Sequence, residues 1–333
     1  MTMLQALAAP ATLSNEEMEC WDVIVSRVIT LNERLWENRL TGGSVKRWLE
    51  NFTGLTGFSP DEERLHALYL ISQFMYYGAR EVRLLLRAVY RELFLLPLAQ
   101  QINSRVTNVR EFEVELRTQI LSTRFLGVGN PSESGVHLLY YFRQENRLPK
   151  SNFLDAAQLY RSDSAAVSGR SPAEPGVNRY VFLDDLCGSG ETAETYSKNL
   201  LPDLIQALPN VELHYLALFG TKDGLGHVRS RTAFGKHCAA IYELDNTYKW
   251  LDTDSRYFSV LRSELKSSVL QLLPQHYGKL LWPEHPLGWS DGQLLLGFFH
   301  NTPDNTLPIV WCDEENGSTR KWYPVFHRYP KFQ

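Results

Sequence analysis

Tyr180-Val181-Phe182-Leu183-Asp184-Asp185-Leu186-Cys187-Gly188-Ser189-Gly190-Glu191-Thr192 is the stretch that decides how this chain is read. Its apolar start reads as a buried strand, two adjacent carboxylates end it, and a small-residue loop follows. Residues 193–208 are helix-forming. Strand, loop and helix in that order build an anion cradle, because backbone N–H groups and the helix dipole converge on the loop. Gly188 and Gly190 let the backbone close tightly around an anion, and Ser189 and Thr192 add hydroxyl donors. Carboxylates at the carboxyl end of a strand stand where α/β sheets place their ligands. Such a pair beside a phosphate cradle suits a sugar phosphate: the acids accept from vicinal hydroxyls while the loop holds the phosphate. The bland alternative is an ordinary strand–turn–helix with a solvated acid pair.

Composition sets the outer bounds. At 333 residues the chain holds one large domain or two modest ones. Hydrophobic content of 44% and charged content of 22% are those of a soluble globular protein. A net charge of −4 gives no global electrostatic case for nucleic acid or membrane. Cys20, Cys187, Cys238 and Cys312 are scattered, form no CxxC pair and have no zinc-like His spacing, so they read as reduced thiols. The amino terminus lacks the basic and apolar regions of a signal peptide, and no apolar run reaches membrane-spanning length. The expectation is a soluble, cytoplasmic protein without a membrane partner.

Residues 14–120 read as helical. Asn15 is placed to cap a first helix through Trp21, Ile24, Val28 and Trp36, ending near Gly42-Gly43. Ser59-Pro60-Asp61-Glu62 is a capping-box start with proline in the first turn. Helical spacing then runs from Leu68 to Leu93, with Gly78 as a kink or break and Pro97 near the stop. Arg80, Arg83, Arg87 and Arg91 make a basic stripe; with Glu81 and Glu92 interleaved it reads as a solvated face, or more sharply as one turned to a partner.

From residue 121 the pattern becomes α/β. Residues 123–128 form a short apolar strand, Gly129-Asn130-Pro131-Ser132-Glu133-Ser134-Gly135 a second small-residue loop, and Val136, Leu139, Tyr140 and Phe142 a helix. Residues 161–178 are rich in Ser, Pro and Gly and carry Arg161 and Arg170; they read equally as a connector or as a loop closing over a site. Strands at 211–219 and 239–244 complete a small parallel sheet, with Lys222, His227, Arg229, Arg231 and Lys236 between them. The division expected is 1–120 helical, 121–250 α/β core and 251–333 a β/loop hood with an aromatic tail.

That tail contains His300-Asn301-Thr302-Pro303-Asp304-Asn305-Thr306-Leu307-Pro308 followed by Trp311, and Trp322-Tyr323-Pro324-Val325-Phe326-His327-Arg328. Amides and hydroxyls flanked by aromatics could read a base edge; a structural turn with an aromatic lid on the core is the plainer account.

Asp acid pockets of the response-regulator or haloacid-dehalogenase kind leave the Gly-Ser-Gly-x-Thr loop unused. The 180–192 run instead resembles the PRPP-binding signature of type I phosphoribosyltransferases, with Glu191 departing from the usual small residue. The His-Asn-Thr-Pro run, the closing Trp-x-Pro-x-Phe-x-Arg, Trp48–Gly54 and His66–Leu70 are similar to the PRTase-CE group, found in bacterial conflict and phage-defence systems including some retrons. The resemblance spans about residue 20 to 328. It implies a phosphoribosyltransferase-like parallel sheet with a helical N-terminal region and a C-terminal hood. It implies that Asp184 and Asp185 hold the ribose hydroxyls and Mg²⁺, and that Leu186, Cys187, Gly188, Ser189, Gly190, Glu191 and Thr192 surround the 5′-phosphate. Gly129, Asn130, Ser132, Ser134 and Gly135 fall at the pyrophosphate loop. Three functions follow from it: an effector transferring phosphoribose or cleaving at the anomeric carbon, a non-catalytic PRPP or nucleotide sensor acting through a partner, or a base-salvage enzyme. A defence-system protein, an RNA or a second copy of the chain are the partners expected.

Overall fold

The computed structural model describes residues 7–129, 134–166, 168–314, 317–318 and 321–329. Reciprocal caps start its first helices. Ser14 with Glu17 opens α1 (Asn15–Arg34), Thr41 with Ser44 opens α2 (Gly42–Leu49), and Ser59 with Glu62 opens α3 (Pro60–Ser72). Ser14 is therefore the cap in place of Asn15, because its hydroxyl takes the Glu17 N–H. Gly42-Gly43 begins α2; α1 ends earlier, ahead of Glu37 and Asn38, whose φ values are 52° and 55°.

Gly78 is a break. β1 (Met75–Tyr77) precedes it and α4 (Ala79–Ala88) follows. Next come a π-helical turn, Val89–Leu95, and α5 (Leu96–Asn103). Arg91 lies in the π turn, where the repeat is i+5, so the arginines do not form one continuous α-helical stripe. Arg83 pairs with Glu145 at 3.0 Å.

The chain continues through α6 (Val109–Leu121), β2 (Thr123–Gly127), α7 (Ser134–Asn146), β3 (Tyr160–Ser162), β4 (Arg170–Pro172) and β5 (Arg179–Cys187). Then follow α8 (Glu191–Leu200), α9 (Pro202–Ala207), β6 (Glu212–Thr221), α10 (Lys222–Arg231) and β7 (Cys238–Leu244). The last elements are α11 (Ser267–Leu281), β8 (Leu296–Phe298) and α12 (Pro308–Trp311). Among the described residues no helix is long and apolar enough to cross a membrane.

Packing gathers these elements into two compact units: Met1–Arg80 with Asp245–Gln333, and Glu81–Leu244. Residues 81–120 thus pack with the sheet, while the earlier helices share a core with the C-terminal part. The second unit is built on a four-stranded parallel sheet in the order β2-β5-β6-β7. Central placement explains why β5 is apolar on both faces up to its acids. Tyr180, Phe182, Tyr215, Leu204, Val228 and Phe234 form the core under one face.

The first unit is an aromatic-rich helical core. Its buried tryptophans each find an acceptor: Trp48 Nε1 donates to Ile309 O at 2.7 Å, Trp250 Nε1 to Leu270 O and Trp311 Nε1 to Thr306 O, both at 2.8 Å. Phe326 stacks on Phe74 at 4.3 Å, and Trp322 packs on Phe52. The closing Trp-x-Pro-x-Phe run is core, in keeping with an aromatic lid. β1 and β8 pair in parallel across most of the chain's length.

Two glutamates make the fold acid-sensitive. Lys266 Nζ, 2.5 Å from Glu62 Oε1, holds that carboxyl down to about 2 with help from the Ser59 N–H. His214 and Arg179, whose Nε lies 2.8 Å away, hold Glu212 down to about 2 as well. A depressed folded value means the stabilisation is complete above the ordinary value of 4.5 and is lost as pH falls toward 2. Denaturant midpoints should fall between pH 5 and pH 2, and Glu62→Gln and Glu212→Gln should each flatten that fall; parallel curves for variants and wild type would remove these pairs as its cause.

Candidate functional site at the ends of β2 and β5

Strand register sets the neighbours of the acids. Phe182 lies opposite Tyr215 and Asp184 opposite Ala217, so residues 182, 184, 215 and 217 share one sheet face. The Tyr215 hydroxyl donates to Asp184 Oδ2 at 2.7 Å, and the Asp185 N–H donates to Asp184 Oδ1 at 2.9 Å. The Leu186 N–H donates to Asp185 Oδ1 at 2.8 Å. Burial, and then the neighbouring Asp185, push the Asp184 carboxyl well above the usual range, against the pull of the Tyr215 hydrogen bond. Burial and the Asp184 charge push the Tyr215 phenol up in turn. Two carboxylates at a half-dry strand end form a like-charge pair that gains from any donor or cation brought to it.

The loop beyond them is shaped by backbone approach. Gly190, φ 83°, is the N-cap of α8, and a Cβ there would stand 2.8 Å from Gly224 O. The Thr221 hydroxyl donates to Gly188 O at 2.6 Å and accepts the Gly224 N–H at 2.9 Å, tying the loop's carbonyl side to the start of α10. Among the described residues, no acceptor takes the N–H groups of Gly188, Ser189, Gly190 or Thr192. These are the orphan donors of a helix start. Glu191 is the exposed first residue of α8, where the helix dipole favours an acid; it is not the cap. Cys187 is buried and its thiol is pushed up by burial, which makes it an unreactive packing residue.

The second small-residue loop stands at the adjacent strand end. Gly127 pairs with Leu183, and the Val128 N–H extends the pairing to Leu183 O at 2.9 Å. A Cβ on Gly135 would lie 2.2 Å from Val128 O and 2.9 Å from Leu183 O, so α7 begins against the backbones of both strands. The Tyr196 hydroxyl, from α8, donates to Gly129 O. Gly129 and Gly135 are thereby brought beside the acid-pair strand. Ser134 begins α7, while Asn130 and Ser132 lie outside the described residues.

A family model, PRTase-CE, matches residues 45–328. The chain belongs to the PRTase-CE family. No curated protein and no solved structure matches it. This PRTase-CE chain is a phosphoribosyltransferase-like protein, and the match draws on both compact units.

Within the PRTase-CE chain, residues 161–178 include a small hairpin, in which β3 and β4 pair antiparallel. Arg170 is bound to Asp203 and lies 4.4 Å over the Tyr160 ring, and Arg161 Nε donates to Ser171 Oγ at 3.2 Å. Sequence reasoning missed Tyr215, Thr221, Tyr196 and His227. The His227 ring stands against Gly190, with Nε2 2.7 Å from Glu194 Oε2. A tyrosine inside the apolar run of β6 was the one available signal, since a buried phenol needs a partner.

Among the described residues no three His, Cys, Asp or Glu side chains cluster to hold an ion. Two all-oxygen carboxylate donors fit a Mg²⁺ ion that takes its remaining ligands from substrate phosphates and water; they do not fit an all-protein cage.

Proposed function

We propose that the PRTase-CE chain binds a phosphorylated ribose, PRPP or a nucleoside 5′-phosphate, at the carboxyl ends of β5 and β2, and acts as an effector of a bacterial anti-phage system. One observation carries this reading: the unclaimed N–H groups of Gly188, Ser189, Gly190 and Thr192 directly follow the like-charged Asp184–Asp185 pair. The loop donors hold the 5′-phosphate. The carboxylates accept from the ribose hydroxyls and stabilise positive charge developing at the anomeric carbon. Asp184 and Asp185 would hold Mg²⁺, which supplies neutralisation of the pyrophosphate oxygens. Tyr215 and the Asp185 N–H keep Asp184 in place without any motion on binding.

The alternative, a non-catalytic sensor, draws support from Arg170. This cation of the 161–178 segment is already paired with Asp203 and is not offered to a pyrophosphate. Calorimetric titration with PRPP and with AMP, each with and without Mg²⁺, tests the shared premise. Binding strengthened by Mg²⁺ for PRPP is expected; no heat with any phosphorylated ribose would sink both versions. Turnover of bound PRPP separates effector enzyme from sensor. A reverse transcriptase or nuclease gene beside this one would support the defence setting.

A further inference from the structure

The first unit carries a recess that the acid-pair loops do not account for. It encloses about 190 Å³, and its lining includes Arg39, Tyr76, Asn301, Thr302, His327 and Tyr329. No aspartate or glutamate lines it. Arg39 is exposed and has no acidic partner among the described residues. Asn301 Oδ1 accepts from the N–H groups of Thr302 and Tyr329, both at 3.0 Å. Two backbone donors on one oxygen settle which end of the amide is which, and leave its NH₂ without a protein acceptor.

The turn that carries Asn301 is fixed from behind. The Thr302 hydroxyl donates to His327 O at 2.9 Å, and Arg328 donates to Thr302 O and to Asp304, both at 2.7 Å. Arg328 is thereby spent on structure, while Arg39, His327 and the Asn301 amide remain as a donor set. Aromatic surface borders it: Tyr76 stacks on Phe326 at 5.3 Å, and Tyr329 is 61% exposed. Donors without acceptors, one permanent cation and an open ring match an anion joined to a flat base.

We propose that this recess is a second ligand site, for a nucleoside 5′-monophosphate. Arg39, His327 and Asn301 Nδ2 take the phosphate, and the base lies on the Tyr329 ring. The site gives the His-Asn-Thr turn a task separate from the acid pair, and it stands whether or not PRPP binds to the other unit.

Titration of the full chain with AMP, GMP, CMP and UMP, with adenosine and inorganic phosphate for comparison, tests it. At least one monophosphate should bind, about tenfold or more weaker in Arg39→Ala. Asn301→Asp should abolish binding, because its carboxylate keeps the turn-closing oxygen and sets a negative charge in place of the amide. Asp184→Asn with Asp185→Asn should leave this binding unchanged, which separates it from the strand-end site. Binding by none of the four, equal binding by Arg39→Ala and wild type, or adenosine matching AMP would each overturn the proposal. Arg39 is exposed, so its variant remains informative even if Asn301→Asp does not fold.

Discussion

Asp184→Asn combined with Asp185→Asn is expected to remove phosphorylated-ribose binding while leaving the ligand-free chain at least as heat-stable as wild type. Each carboxylate contributes charge-assisted hydrogen bonds of about 1.5–3 kcal/mol, so losing both weakens binding about a hundredfold or more. Stability moves the other way. The Asp184 carboxyl is pushed up in the folded chain by burial and by Asp185, so the folded state holds its proton more tightly than the unfolded state. Stability from this group is present at low pH and is lost as pH rises through its raised value. Asparagine never carries the charge, and its oxygen can still accept the Tyr215 hydroxyl. Calorimetric binding and thermal midpoint, measured on one preparation, decide it. A variant that binds PRPP like wild type would end the ligand role of the acids, and one that binds weakly only because it melts early would make the acids structural.

The largest expected loss of stability lies in the first unit, at Glu63. This carboxylate is fully buried on α3. It accepts the Gly54 and Thr56 N–H groups at 2.7 Å, the Thr56 hydroxyl at 2.6 Å and the Tyr277 hydroxyl at 2.5 Å. Tyr277 in turn accepts the Thr53 N–H at 2.8 Å, so one acid organises the whole 53–56 turn against α11. Glu63→Ala strands these donors in the core, where each unmet group costs about 1–3 kcal/mol; the sum is about 4 kcal/mol or more. Glu63→Gln keeps one acceptor but turns an NH₂ toward a donor, and should fall between Ala and wild type. Denaturant unfolding read by tryptophan fluorescence gives the order. A loss under about 1 kcal/mol for Ala would mean that the turn closes equally well without the acid.

What the sequence discloses and what it hides divide along the range of the interactions. The β5 acids and their loop are legible because apolar run, carboxylates, glycines and helix are consecutive, and each constrains the next. The edges of β2, β6 and β7 are legible for the same reason. The partner of Asp184 is not, since Tyr215 lies 31 positions away on another strand. The end of α1 was misplaced because a glycine pair reads as a stop, whereas Thr41 and Ser44 turn it into a start. The π turn at 89–95 interrupts a spacing that looks uniformly helical in sequence. Nothing local signals that Met75–Tyr77 will pair with Leu296–Phe298, so the shared core of the two chain ends could not be read in advance.

That shared core has a consequence for biosynthesis. When a ribosome has made the segment up to Arg80, the groups that cover Trp48, Phe52 and Phe74 have not yet been translated. Residues 81–244 must be synthesised first, which takes roughly ten to thirty seconds at ordinary elongation rates. During that interval the intervening segment has its whole sheet available and can close by itself, while the leading helices wait with apolar faces open. Ribosome stalling beyond residue 244 would leave a finished nucleus tethered to an unfinished one, a nascent species suited to chaperone capture and early proteolysis.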